Sequence, residues 1–187
     1  MAKTLNFLVI LLEIPGFYRS ISDRKWTIPA YYTQLSNICA LLSSVLYVLM
    51  GETSFTCQVR YLAACTLTMT FVITVFVLIP MGAGIKRMMF AGNGLYHHLL
   101  CPILSAGSYL FFEEPVTDLK MAALPVLATL FYGIFMMVLN GLGKFDGPYP
   151  FFRVRHQSPA ATALWICLLM LIILALSLGI LAASQRL

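Results

Sequence analysis

Two adjacent histidines are the first residues in this sequence whose type and position point to chemistry. The stretch GNGLYHHLLCPILS, residues 92–105, places His97 and His98 at the start of an apolar segment. Burial and the positive end of a helix N-terminus both favour the neutral imidazole, which is the form a general base requires. A buried histidine can equally form a hydrogen bond between helices, so the sequence leaves a catalytic and a structural hypothesis open.

Helical geometry separates the side chains of these two histidines. Adjacent positions on an α-helix point about 100° apart, so His97 and His98 are poorly placed to bind one metal ion, and no metal site is expected. Asn93 precedes the apolar run and is predicted to cap its N-terminus, on the same face as His97 and Cys101.

The stretch WTIPAYYTQLSN, residues 26–37, contains the hydroxyl that a histidine base could activate. Trp26, Tyr31 and Tyr32 resemble an interfacial aromatic belt, and Pro29 is predicted to lie in the first turn of the second helix. Small and polar residues then recur at helical spacing and are expected to face other helices, because lipid offers them no partner. They are Thr33, Ser36, Asn37, Ala40 and Ser44.

Thr33 and His97 are predicted to lie at similar depth in a membrane. Thr33 follows the loop residue Lys25 by eight positions, and His97 follows Arg87 by ten, on segments that begin from the same side. A threonine hydroxyl becomes a nucleophile when a base withdraws its proton, and Asn37 or Asn93 could stabilise the resulting oxyanion. The alternative is that these polar side chains only hold helices together.

The loop GKFDGPYPFFRVRH, residues 143–156, lies on the same predicted side. As a lid it would contribute Asp146 and Tyr149 to substrate or oxyanion binding, with Asp146 orienting a histidine and Arg153 or Arg155 binding an anion. As an ordinary interfacial anchor it would contribute only aromatic and basic residues. His156 is predicted to be a solvated loop residue.

Composition indicates a membrane protein without a nucleic-acid partner. The chain has 187 residues, of which 60% are hydrophobic and 10% charged, and its net charge of +5 comes from short basic clusters between apolar runs. The five cysteines lack the spacing of a zinc site and do not suggest a disulfide framework, and no cofactor is expected. Glu13 interrupts the first apolar run, where it should be protonated or paired with a polar group.

These features predict an all-α, polytopic transmembrane helical bundle of about six spans, forming a single domain over residues 1–187. The first segment is expected to be a retained span rather than a cleaved signal peptide, although Glu13 and the Pro15–Gly16 pair weaken it. The apolar segments are residues 4–21, 29–50, 58–80, 93–112, 119–142 and 161–183.

The distribution of lysine and arginine predicts the orientation. Eight basic residues lie in loops 1–2, 3–4 and 5–6, and four on the opposite side, including Lys3 and Arg60. The acidic residues Glu113, Glu114 and Asp118 are assigned to the loop on the side with fewer basic residues. The positive-inside rule then places both termini outside and the three basic loops in the cytoplasm.

Three patches together resemble the androgen-induced integral membrane protein family. They are YYTQLSN at residues 31–37, NGLYHHLLCP at 93–102 and DGPYPFF at 146–152, and the likeness extends from about Trp26 to Phe152. Animal members are described as intramembrane threonine hydrolases that cleave fatty acid esters of hydroxy fatty acids. The bacterial members have no established substrate.

The resemblance implies Thr33 as the nucleophile and His97 as the base, because Asn93 and Pro102 stand at the family's offsets from His97. His98 is a departure from the pattern and an alternative base. The favoured function is therefore an intramembrane, threonine-type carboxylic ester hydrolase acting on a membrane lipid or fatty-acyl ester. The alternative is a non-catalytic membrane protein, either a small-molecule or lipid transporter, a receptor or a scaffold.

Overall fold

The chain forms a bundle of helices. The computed structural model describes the backbone of residues 1–186 and the side chains of residues 1–22 and 27–186. The predicted roles of Arg24, Lys25 and Trp26 therefore fall on side chains outside the described residues. The α-helices are α1 (Ala2–Arg24), α2 (Tyr32–Met50), α3 (Ser54–Ile73), α4 (Cys101–Phe112), α5 (Ala123–Gly141) and α6 (Pro159–Ser184).

The predicted all-α fold is confirmed, since residues 1–186 contain helices and no strand. Five helical segments in this range are long and apolar enough to cross a membrane, as expected of an integral membrane protein. The fourth predicted span is helical but divided. Near its start, Leu95–Leu100 form a π-helix of six residues, and α4 continues for only 12 residues.

Several local predictions are corrected by the backbone. Pro15 and Gly16 lie inside α1, which runs through them without a break. Pro29 belongs to the short 3-10 helix Lys25–Ala30 and not to the first turn of α2. The third span continues past α3 as the π-helix Thr74–Ala83, where Gly82 has a φ of 95° that only glycine adopts without strain.

The helices that carry the candidate residues pack around one another. Helix α1 packs on α2 and α4, α3 packs on α2 and α4, and α5 and α6 cover the remaining side of α3. The predicted inward stripe on α2 is confirmed, because each of its members from Thr33 to Ser44 is buried. Packing therefore turns Thr33 toward the helices that carry the histidines.

A buried ion pair holds the opposite end of α1–α4 together. Arg60 and Glu113 are fully and almost fully enclosed, and Arg60 Nε donates to Glu113 Oε2 at 2.9 Å. Asn6 Nδ2 and Ser108 Oγ donate to Glu113 Oε1 at 2.8 and 2.6 Å. Arg60, which was counted on the side with fewer basic residues, and Glu113, which was assigned to the loop after the fourth span, are thus both buried among the helices.

Candidate active site

Thr33 lies in the first turn of α2, where the chain leaves the loop and enters the bundle. The residue is 4% exposed, so its hydroxyl is shielded from the surroundings. The Tyr149 hydroxyl lies 3.3 Å from Thr33 Oγ1 and accepts a hydrogen bond from the Thr33 backbone N–H at 3.3 Å. The loop before α6 thus supplies a second hydroxyl directly beside the candidate nucleophile.

The two histidines lie in the π-helix Leu95–Leu100 and contact different helices. His98 Nδ1 is 2.7 Å from Thr74 Oγ1, at the point where α3 changes into its own π-helical extension. Both residues of this pair are buried. Because a threonine hydroxyl can donate or accept, Thr74 can hold His98 in the tautomer that carries its proton on Nδ1 and leaves Nε2 unprotonated.

His97 is turned toward α1 and is enclosed there. Its Nε2 lies 3.2 Å from Glu13 Oε2, and its Nδ1 lies 3.1 Å from the amide nitrogen of Gln34. The Phe17 ring packs against the imidazole with a centroid separation of 4.8 Å. An amide nitrogen only donates, so Nδ1 accepts and the neutral ring carries its proton on Nε2, on the side of the Glu13 carboxyl group.

The partner of Glu13 is therefore a histidine, which agrees with the expectation that this buried carboxyl pairs with a polar group. Glu13 is fully buried, and the Cys101 thiol also lies beside it. Gly16, one turn further along α1, leaves the room for the imidazole, since a Cβ there would lie 2.6 Å from His97 Cδ2. This arrangement joins α1, the first turn of α2 and the π-helix that precedes α4.

Thr33 and His98 line one cavity of about 300 Å³. The volume falls at the lower end of the range for small-molecule sites, about 300–1,000 Å³. Tyr149, the exposed Arg87 and Gly82 of the π-helix that follows α3 also form its walls. The cavity therefore brings together a hydroxyl, an imidazole, a phenol and a guanidinium, and His97 lies on another side of the bundle.

A second, narrower and apolar cavity of about 40 Å³ adjoins the first one. Thr33, Tyr149 and Leu78 line both, so the candidate nucleophile lies at the junction. The remaining walls of this apolar chamber come from α3, α5, α6 and the loop before α6, including Met69, Thr129, Tyr132, Phe152 and Leu169. A molecule with a polar group beside Thr33 could extend an apolar part into this chamber.

Two of the predicted oxyanion and substrate-binding residues lie close to Thr33, and two do not. Tyr149 reaches Thr33, as described above. Asn37 stays close to it through the backbone, because its Nδ2 donates to the Thr33 carbonyl at 2.6 Å and to the His97 carbonyl at 3.3 Å. Neither Asn93 nor Asp146 is among the residues that line the two cavities.

The structure gives Asn93 and Asp146 other partners. The Asn93 amide donates to Ser20 Oγ on α1 at 2.9 Å, and the predicted helix cap is wrong because no side-chain cap is present at Leu95–Leu100. Asp146 accepts from Asn140 at 3.1 Å and lies 3.6 Å from His156. The histidine that Asp146 orients is thus the solvent-exposed His156, which confirms that His156 is a solvated loop residue.

Thr74 and Arg87 are the cavity residues whose roles the sequence did not reveal. Thr74 follows Thr66 and Thr70 at four-residue helical spacing, and this spacing alone gives no sign of a histidine partner. Arg87 was interpreted only as a loop charge. The available sequence signal was their position, because Thr74 and Arg87 are polar residues on either side of the glycine-containing end of the third span.

Comparison of the chain with protein-family models, with curated proteins and with solved structures finds no match. The resemblance described above therefore remains a prediction that depends on its three sequence motifs. The geometry of the two cavities is independent of it.

Proposed function

We propose that this chain is an intramembrane ester hydrolase in which Thr33 is the nucleophile and His98 the general base. The observation that carries the proposal is the cavity that Thr33 and His98 line together, which continues past Thr33 into an apolar chamber. A hydroxyl and a base at the junction of a polar and an apolar compartment suit an ester whose acyl chain is apolar.

The reaction proceeds in two halves. His98 Nε2 removes the proton from Thr33 Oγ1 as this oxygen bonds to the ester carbonyl carbon, and the tetrahedral intermediate then expels the alcohol oxygen, which takes the proton from His98. An acyl-threonine remains. Water attacks this ester with His98 again as base, and the threonine oxygen leaves with the proton, which releases the carboxylic acid and restores Thr33.

Tyr149 is the residue best placed to stabilise the oxyanion. Its hydroxyl accepts the Thr33 backbone N–H and lies 3.3 Å from Thr33 Oγ1, so its own proton can be directed toward the developing negative charge. Thr74 acts as a positioning residue through its 2.7 Å contact with His98 Nδ1.

The choice of base differs between the resemblance and the geometry. The resemblance implies His97, but both of its ring nitrogens face other groups, Glu13 and Gln34. His98 lines the cavity that contains Thr33. We therefore place His98 in the catalytic role and His97 in a structural one.

The proposed substrate is a membrane lipid or fatty-acyl ester, and the resemblance implies a fatty acid ester of a hydroxy fatty acid. We propose that the site opens at the cytoplasmic face, with both termini outside. Arg60 is buried in an ion pair and no longer counts as a loop charge. The positive-inside comparison is then eight basic residues on the side of the site and three on the opposite side, which favours a cytoplasmic site.

Covalent labelling of the purified protein by a fluorophosphonate probe tests this proposal. Thr33→Ala should abolish labelling and Thr33→Ser should restore it, and His98→Gln should slow it by about 10²- to 10⁴-fold, the usual contribution of a general base. Thr66→Ala is the matched control, since Thr66 is as buried as Thr33 but bonds only to carbonyls of its own helix.

Thermal unfolding of each variant separates loss of chemistry from loss of fold. Labelling that persists in a folded Thr33→Ala protein would overturn the hydrolase. Loss of labelling in folded His97→Gln, with full labelling in His98→Gln, would instead transfer the role of base to His97 and leave the nucleophile in place.

A further inference from the structure

Three neighbouring cavities lie along the seam between α5 and α6, from the apolar chamber beside Thr33 to the outer surface of the bundle. Thr129, Phe152 and Leu169 line the chamber and also a gap of about 20 Å³ between α5 and α6. Met170 lines both this gap and an outer groove of about 360 Å³. Three cavities thus follow one another from Thr33 to the face that α5 and α6 present to lipid.

The outer part of this seam is apolar. Its groove is walled by Val126, Met170, Leu171, Leu174 and the exposed Cys167. Leu171 and Leu174 are exposed in the bundle, as expected of residues that face hydrocarbon. The seam therefore suits a linear alkyl chain, which gains by dispersion contact along its length and needs no polar partner.

A glycine borders the inner gap. Gly133 lies on α5 opposite Phe152, and a Cβ added there would lie 3.4 Å from Phe152 Cε1. A larger side chain at this position would extend into a gap of only about 20 Å³. Gly133 thus borders the narrowest of the three cavities, between the chamber and the groove.

A competing route between α2 and α5 is closed by hydrogen bonds. Tyr32 and Tyr132 separate the chamber from a cavity of about 200 Å³ that Ser36 and Thr66 help to line. Tyr32 Oη lies 2.8 Å from Thr129 Oγ1, and Tyr132 Oη donates to the Ala30 carbonyl at 2.8 Å. Passage on this side would break these contacts, whereas the α5–α6 seam is closed only by apolar side chains.

We infer that the acyl chain of the substrate lies in the α5–α6 seam, running from Thr33 through the chamber, past Gly133, to the outer groove. The inference rests on the proposed function, since it assumes that the ester is held beside Thr33. It makes Gly133 a determinant of acyl-chain length. Short acyl groups end within the chamber, and long ones must pass Gly133.

Two measurements test the seam. In the first, hydrolysis of p-nitrophenyl acetate and p-nitrophenyl palmitate is compared in Gly133→Leu. The palmitate kcat/KM should fall at least about tenfold and the acetate value should stay within about twofold. Gly179→Leu on α6 is the control, because a Cβ at Gly179 meets no atom within 4 Å, and it should change neither value.

In the second measurement, a palmitate carrying a diazirine near its terminal methyl is photo-crosslinked to the Thr33→Ala protein. Adducts should map to Met170, Leu171 or Leu174. Adducts at Leu35 or Leu62, near the Tyr32–Tyr132 side, or no specific adducts, would overturn the seam. The seam would also be overturned if Gly133→Leu lowered kcat/KM equally for both esters, or for neither.

The crosslinking result is independent of turnover. If the unmodified protein hydrolyses no ester but the palmitate adducts map to the seam, the hydrolase fails and the chain-binding site stands. If hydrolysis depends on Thr33 and the adducts lie elsewhere, the seam fails alone.

Discussion

Removal of Arg60 from its buried ion pair should destabilise the bundle strongly. The Arg60 guanidinium donates to both oxygens of Glu113 and also to Ser43 Oγ, Ser44 Oγ and the Ser105 carbonyl. In Arg60→Met the Glu113 carboxylate would stay enclosed with only neutral donors. Breaking a buried pair by deleting one partner costs about 3–5 kcal/mol.

The expected cost can be converted into a melting temperature. For a chain of 187 residues, 1 kcal/mol corresponds to about 2–4 °C, so Arg60→Met should lower Tm by about 6–20 °C. Glu113→Gln, which leaves the arginine charge unpaired, should fall in the same range. The double variant Arg60→Met/Glu113→Leu buries no charge and should recover to within about 2 kcal/mol of the original protein, or exceed it.

Unfolding of detergent-solubilised protein with a thiol-reactive fluorophore provides the assay, because Cys65 and Cys101 are buried and free. The double-mutant cycle isolates the coupling between Arg60 and Glu113. Single variants that lose less than about 1 kcal/mol, the worth of a surface pair, would refute the buried ion pair. The electrostatic explanation would be refuted if the double variant lost as much unfolding free energy as the two single variants together.

Two further predictions concern the histidines. Gly16→Ala should destabilise the protein by about 1–3 kcal/mol in the same unfolding assay, because the new methyl group would overlap the His97 ring. Gly107→Ala is the control and should stabilise the protein slightly, because a Cβ at Gly107 meets no atom within 4 Å. Thr74→Val should slow probe labelling about two- to tenfold, the net worth of one hydrogen bond, and Thr74→Ser should restore it. A Thr74→Val protein that is labelled at the normal rate would exclude the positioning role.

The sequence sufficed for the bundle and for the inward face of α2. Apolar runs of spanning length can be satisfied in lipid only as helices, and hydroxyl and amide side chains have no partner in hydrocarbon, so both features follow from composition and period. Thr33, Asn37 and Ser44 are accordingly buried where they were predicted to be.

The partners of the polar residues were harder to predict because they depend on tertiary packing. Asn93 and Asp146 occupy positions where a turn and a loop decide which group is nearest, and these groups proved to be Ser20 and Asn140. Arg60 and Glu113 lie 53 positions apart at the ends of apolar segments. Charges at such positions are commonly interfacial, so their burial could not be inferred from spacing.

The sequence predicted that the His97 and His98 side chains diverge, but not which of them lies in the same cavity as Thr33. Helical geometry required two diverging side chains, and the structure directs one to Glu13 and the other to Thr74. Which of them shares a cavity with Thr33 depends on the π-helical turns at Leu95–Leu100 and after α3, and the apolar period of the sequence does not reveal these turns.

The polar contacts of α1 impose an order on how the nascent chain assembles. Asn6 and Glu113 are separated by 107 positions, and Glu13 also finds its histidine only on the fourth span. Until the intervening segments are made, Glu13 lacks this partner, and an unpaired carboxylate in hydrocarbon costs about 2.5–3.5 kcal/mol. These polar contacts of α1 can therefore form only after the fourth span has been synthesised.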